Sequence, residues 1–306
     1  MKIAYLITAY DNPAHLHRLL RAIVTPNSAA YVHVDAKFDS APFERVRLPR
    51  VHFVKPRIAV YWGEFTMVEA ILRLLESALG AAQRFDYFVL ISGTDYPIRP
   101  IAELEAFLTA NAGTQFINLV KMPDEDTSKP LARLRYYKVL SGNPLALPLK
   151  IARRALIRAG LLSAQRSYEA VLLGREPYAG STWWALTREA CEYVLDFIAR
   201  EAAFVRFYRN TWFPDEGMIH TIIGNSPFAG RVRRNLTYTD WTARGAHPAP
   251  IGPGHIRRFI EDPALVSDDR YGPGEVFFAR KFSDQTAQLV EQLDVHIAQR
   301  APEKTR

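Results

Sequence analysis

The feature that most constrains this chain is an alternation of short apolar strand patterns with helix patterns along its first hundred residues. KIAYLITAY is a continuous apolar run of strand type. Asp11 or Asn12 then offers an N-cap, Pro13 suits a first helical turn, and Leu16, Leu19, Leu20 and Ile23 recur at i, i+3, i+4 and i+7. YVHVDAK forms a second strand pattern ending at Asp35, and VHFV a short third. GEFTMVEAILRLLESALG predicts a helix with Val68, Leu72, Leu75 and Leu79 on one face and Gly80 past its end. FDYFVLIS, a buried-type strand, runs into the turn-rich GTDYPIRP. Strands alternating with helices predict an open, largely parallel α/β sheet, whose ligands bind outside the carboxyl ends of the strands. Asp11, Asp35 and Asp95 each follow a strand and should gather along that edge.

Several function classes fall away. There is no GxGxxG after the first strand and no GxxxxGK[ST], which argues against dehydrogenase and NTPase chemistry. Cys191 is the only cysteine, so no disulfide forms within the chain, and a cytoplasmic setting is expected. MKIAYLITAYDNP turns polar too early for a signal peptide, and no apolar run approaches a membrane span. The net charge of +7 is uneven: between Thr127 and Tyr168 there are nine Lys or Arg residues and no acid. Such a field favours an anionic partner; without a nucleic-acid motif, phosphate or anionic lipid is preferred to nucleic acid. Within that run LALPLKIARRALIRAGLL can be drawn as a basic amphipathic helix. It is read either as a membrane-surface element, with the protein peripheral on an inner membrane face, or as a helix packed on the domain with its charges in water.

The chemistry centres on TWFPDEGMIHTIIGNS, where Asp215 and Glu216 follow a proline at an expected helix start. An acid there complements the helix dipole, which is the ordinary reason for it. Upstream, GSTWWALTREACEYVL carries Trp183 and Trp184. Aromatic faces beside a carboxylate suit a sugar, and core packing would equally account for the two rings.

The blocks HVDAK, YWGEFTMVEAILRLL, YFVLISGTDYPI, GSTWWALTREACEYV, FYRNTWFPDEGMIHTIIGNSP, LTYTDW and FFARKF occur in an order that resembles the core-2/I-branching glycosyltransferases, glycosyltransferase family 14. That family includes β-1,6-N-acetylglucosaminyltransferases and peptide O-xylosyltransferases, and the similarity runs from about Ile3 to Leu293. It implies one GT-A-like domain with a mostly parallel sheet. A nucleotide-binding half (1–120) precedes an acceptor and catalytic half (121–245) and a C-terminal diphosphate-binding segment with a helix (246–306). It also implies inverting transfer of N-acetylglucosamine or xylose from a UDP-sugar to a hydroxyl of a glycan, lipid-linked glycan or peptide.

Carried over residue by residue, the resemblance makes Glu216 the general base and Asp215 a cap or orienting neighbour. Arg280 and Lys281 of FFARKF would hold the diphosphate, Asp35 would meet the nucleoside, and Trp62 and Trp241 would lie near the donor. Asp95 of GTDYP is a donor- or acceptor-site candidate. Trp183 and Trp184 would shape the sugar site, and Arg135 and Tyr136 of RLRYYK would lie near the acceptor. No metal or other cofactor is expected, because SGTD offers one aspartate where many GT-A enzymes carry an Asp-X-Asp pair. Asp124-Glu125-Asp126 has that form but sits in a polar stretch after Met122-Pro123. The rival readings are a metal-dependent transferase, a non-catalytic nucleotide- or carbohydrate-binding protein, and a peripheral membrane scaffold. The family's animal members carry a membrane anchor, a stem and disulfides, so compartment and acceptor do not carry over.

Overall fold

A computed structural model describes residues 1–300 except 46, 143–144 and 243–246. The first strand explains the architecture. In β1 (Ile3–Ala9) every residue is buried, and successive side chains point to opposite faces. Ile3, Tyr5, Ile7 and Ala9 enter one apolar core, whereas Ala4 and Leu6 enter the other. A strand that is apolar on both faces must be covered on both. The first core is closed by α1 (Pro13–Ile23) and the second by α2 (Phe65–Leu79).

Further strands complete the sheet: β2 (Ser28–Val34), β3 (Val51–Phe53), β4 (Tyr87–Ser92), β6 (Gln115–Ile117), β7 (Trp184–Thr187) and β8 (Val232–Arg233). Their order is β8-β6-β7-β4-β1-β2-β3. All neighbours are parallel except β7, which runs antiparallel to both β4 and β6. The expected α/β class, with a mostly parallel central sheet flanked by helices, is what the chain adopts. A smaller sheet lies at the carboxyl edge. It joins β5 (Asp95–Pro97), β9 (Thr237–Thr239) and β10 (Phe278–Arg280), with β10 in the middle.

The register places strand ends together as the sequence predicts. Thr8 pairs with Ser92 and Ala9 with Val34, so the segments after β1, β2 and β4 leave the sheet side by side. Local readings needed four corrections. Asn12 precedes α1 in a left-handed conformation and makes no side-chain cap; its Oδ1 instead accepts from the Asp284 amide at 2.9 Å. The buried stripe of α2 is Phe65, Val68, Ile71, Leu74, Leu75 and Ala78, while Leu72 and Leu79 are only partly covered. GTDYP, read as turns, contains β5. Pro214–Glu216 is a single 3-10 turn, and the α-helix begins only at Met218.

Candidate active site

Glu216 is held by the turn it ends and by two cations from the preceding acid-free segment. Phe213 adopts a left-handed conformation and its amide donates to the Gly63 carbonyl at 3.1 Å, fixing where the turn starts. The Gly180 amide donates to the Glu216 carbonyl at 2.9 Å. Glu216 Oε2 accepts from Lys129 Nζ at 2.6 Å and from Arg133 Nη1 at 2.7 Å. The side chain is 26% exposed, and among the described residues no side chain is hydrogen-bonded to Oε1. Burial alone would raise the Glu216 pKa, but the charges of Lys129 and Arg133 outweigh it and hold the carboxyl below its ordinary range. Glu216 is therefore an anchored carboxylate with one uncommitted oxygen.

Asp215 points elsewhere. It accepts from the Thr182 hydroxyl at 2.8 Å, and its other oxygen is buried without a partner. Burial, followed by the Glu216 charge, pushes its pKa up to about 6. The helix-cap alternative is corrected: no cap hydrogen bond comes from it, and its fixed partner is Thr182.

The next residue along, Trp183, touches the other half of the site. The Arg280 guanidinium lies over the Trp183 ring, 4.2 Å from its centroid. Arg280 pairs across the small sheet with Asp95, and its Nε sits 3.2 Å from Asp95 Oδ1, an ion-pair contact rather than an aligned hydrogen bond. Asp95 is completely buried; that burial pushes its pKa up to about 6 against the pull of Arg280 and the Ser92 amide. Lys281 follows, half-buried, and no hydrogen bond or ion pair reaches its Nζ among the described residues. Burial and then Arg280 lower its pKa, and the same two cations, after burial, lower that of His247. Two basic side chains, Arg280 and Lys281, are thus held next to each other here, with Asp95 and Asp11 nearby.

A second chain of contacts joins the two halves. Trp62, 62% exposed, meets His247 edge-on at 5.9 Å and Phe213 at 4.8 Å, and the Arg133 guanidinium lies 4.7 Å from the Phe213 ring. Residues 180–183 and the Trp62–Phe213 pair thus each run between the Glu216 side and the Arg280–Lys281 side.

The remaining candidates are placed less directly. Asp35 Oδ1 accepts from the Lys37 amide at 3.0 Å and the Val60 amide at 3.2 Å, so turn chemistry occupies it; Lys37 Nζ lies 3.4 Å from Oδ2. Trp184 is buried in the second core and presents no ring to a ligand, and Trp183 offers its ring to Arg280. Trp241 is exposed. Arg135 and Tyr136 are exposed and do not contact Glu216; Arg133, two residues earlier in the same quoted motif, does. Lys129, Arg133, Thr182 and Tyr271 went unnoticed in the sequence. The acid-free run around the first two was the available signal, since a buried carboxylate needs cations and that run supplies them. Tyr271, whose pKa burial pushes up to about 12, lies near Thr127 and Glu216 on a loop that Arg270 ties to Asp124 at 2.9 Å.

That tie bears on metal binding. Asp124 lines a cleft of about 460 Å³, but Oδ1 accepts from the Thr127 amide and hydroxyl, and Oδ2 pairs with Arg270, which also approaches Asp126 at 3.6 Å. Asp95, the other strand-end acid, is committed to Arg280. Among the described residues no three His, Cys, Asp or Glu side chains cluster as metal ligands would. Asp124 and Asp95 thus each already have an arginine partner.

The chain is 28% identical to xylosyltransferase 2 of Canis lupus familiaris over 97% of its own length and 34% of that protein's, and 24% identical to xylosyltransferase oxt of Drosophila pseudoobscura pseudoobscura over 95% and 32%. It thus spans about a third of the length of these curated relatives. Solved structures with loosely similar shapes include galactosyltransferase LgtC (TM-score 0.38, 11% identity, 98% of each chain) and mouse xyloside xylosyltransferase 1 (TM-score 0.38, 10% identity, 90% of this chain and 97% of that one). Residues 3–259 match the model of the Core-2/I-Branching enzyme family, and the chain belongs to that family.

Proposed function

We propose that this protein is a metal-independent, inverting glycosyltransferase that moves a sugar from a UDP-sugar to a hydroxyl of a glycan or peptide acceptor. The observation that carries the reading is that adjacent residues touch both halves of the chemistry. Thr182 binds Asp215, next to Glu216, and Trp183 lies under Arg280. An acceptor entering from the Glu216 side has its hydroxyl proton taken by the free Oε1, while its oxygen forms a bond to the anomeric carbon. The bond from that carbon to the diphosphate breaks on the opposite face, inverting the centre, and its electron pair leaves on the UDP oxygen. Arg280 supplies a planar donor fork and Lys281 a compact charge where that negative charge develops. Cations held in place before reaction stabilise it without reorganisation.

Lys129 and Arg133 keep Glu216 ionised and oriented at the cost of basicity. That suits proton transfer occurring late, after the bond to UDP has largely broken. Xylose is the preferred donor sugar, because the curated relatives are named for it; N-acetylglucosamine is the alternative within the family. The lone, buried Cys191 supports a reducing, cytoplasmic setting.

A thermal-shift screen of UDP-xylose, UDP-N-acetylglucosamine and UDP, with and without EDTA, tests the reading. UDP-sugars should raise the melting temperature equally in both conditions, UDP-xylose most. Stabilisation that appears only when manganese is added would overturn the metal-free part, and no shift with any nucleotide sugar would overturn the whole.

A further inference from the structure

We propose that helix α3 (Ala146–Arg158) and the turn after it form a docking surface for an anionic lipid bilayer. The helix buries none of its residues. It rests on the body along one line, with Ala146, Arg153 and Ile157 half-covered at i, i+7 and i+11. Arg153 makes the contact: its guanidinium lies 4.8 Å from the Tyr137 ring and donates to the Ser163 and Ala164 carbonyls at 3.3 and 3.5 Å. A different line carries Leu147, Ile151, Arg154 and Arg158 at i, i+4, i+7 and i+11, all exposed. Leu147 is 68% exposed and Ile151 62%, and beyond the helix Leu161 is 75% exposed with Leu162 beside it. The helix thus touches the domain, as one of the two sequence readings has it, but chiefly through Arg153 and with its leucines left exposed.

Charge complementarity selects the occupant. The segment from Thr127 to Tyr168 holds nine basic residues and no acid. Its outer arginines share a stripe with the exposed aliphatic side chains instead of facing away from them. A protein partner would have to place a carboxylate at each guanidinium while packing every leucine between them. Mobile headgroup phosphates over acyl chains accept both without fixed geometry, with the arginine stems buried and their heads among the phosphates. Lys138, next to the Tyr137 that Arg153 covers, connects this surface to Trp212. Trp212 is partly exposed, carries Lys138 Nζ 3.9 Å from its ring centroid, and precedes Phe213 and the Pro214–Glu216 turn. Docking there would bring the acceptor side of the site near the membrane. Among the described residues no helix is long and apolar enough to cross a bilayer, so this contact lies on the surface.

Co-sedimentation of the whole protein with vesicles tests the proposal without using transferase activity, so it fails or succeeds apart from the functional reading. The protein should pellet with equimolar phosphatidylcholine–phosphatidylglycerol vesicles and stay in solution with phosphatidylcholine alone. Arg154→Ala with Arg158→Ala should weaken binding about thirtyfold, at roughly one kcal/mol per basic residue near the surface. Leu147→Ser with Ile151→Ser should weaken it as well. A salt titration of the unaltered protein needs no variant: binding to the anionic vesicles should fall as ionic strength rises. Equal partition to both vesicle types, salt-independent binding, or double variants that bind as the parent does would each overturn the proposal. Failure to bind either vesicle would overturn it too and assign the face to a protein partner.

Discussion

Glu216 sits under opposing demands, and they make its neighbours testable. Lys129 and Arg133 both donate to Oε2, which keeps the carboxylate charged but subtracts from its affinity for a proton. Removing one cation reverses part of that. In Arg133→Ala the pKa of Glu216 rises, so less of it is ionised at a given low pH, and the acid limb of the pH–rate profile should move to higher pH. A limb that stays put or moves lower contradicts the assignment of Glu216 as the titrating base. Asp215 offers a separate test through stability. Its pKa is raised in the folded state, so between about 4 and 6 the native protein binds more protons than the unfolded chain does, and stability falls as pH rises through that window. Asp215→Asn removes this dependence. Chemical denaturation should show the difference in stability between variant and parent shifting in the variant's favour from pH 4 to pH 7. A difference that is flat with pH would mean the carboxylate is not desolvated as the fold implies.

At the scale of elements, the segment before β7 (Trp184–Thr187) holds the site together, and one glycine lets it do so. A Cβ on Gly180 would fall 1.7 Å from the Asn118 carbonyl oxygen, a backbone atom with nowhere to go. Gly180→Ala should therefore cost at least about 1–3 kcal/mol, the usual penalty of overpacking, and should also displace the Glu216 carbonyl bonded to that amide. Urea melts measure the first effect; a parent-like midpoint would contradict the close approach. Elements of this kind were only partly legible beforehand. The continuous apolar runs of β1, β2 and β4 announced themselves, because burial on both faces leaves no other reading. The stripe of α2 was misassigned by one row, since Leu72 and Leu79 are as apolar as the residues actually buried and only the sheet's position decides between them. β5 was hidden in turn chemistry because it pairs with β10, some 180 residues away, and no local pattern encodes that partner. The convergence of Asp95 on Arg280 depends on the same pairing. Lys129 and Arg133 were hidden likewise, being basic residues among many until the 3-10 turn was seen to reach them.

Across the whole molecule, charged side chains are laid out before any substrate arrives. On the proposed reading, a carboxylate base at one end and Arg280 and Lys281 at the other mark where acceptor and diphosphate bind, with residues 180–183 running between them. Lys281→Ala should weaken UDP binding by an order of magnitude or more, in line with about 1.5–3 kcal/mol for a hydrogen bond to a charged group, while leaving the fold intact because Nζ has no hydrogen-bond or ion-pair partner among the described residues. Isothermal titration would show this, and unchanged UDP affinity would remove Lys281 from the diphosphate site. The most direct test of the central claim is the rate of UDP release from the preferred UDP-sugar in EDTA, for the parent and for Glu216→Gln. Loss of about 10²- to 10⁴-fold in rate, the usual contribution of a general base, with UDP affinity preserved, is the predicted result. A variant that turns over at the parent rate would contradict it.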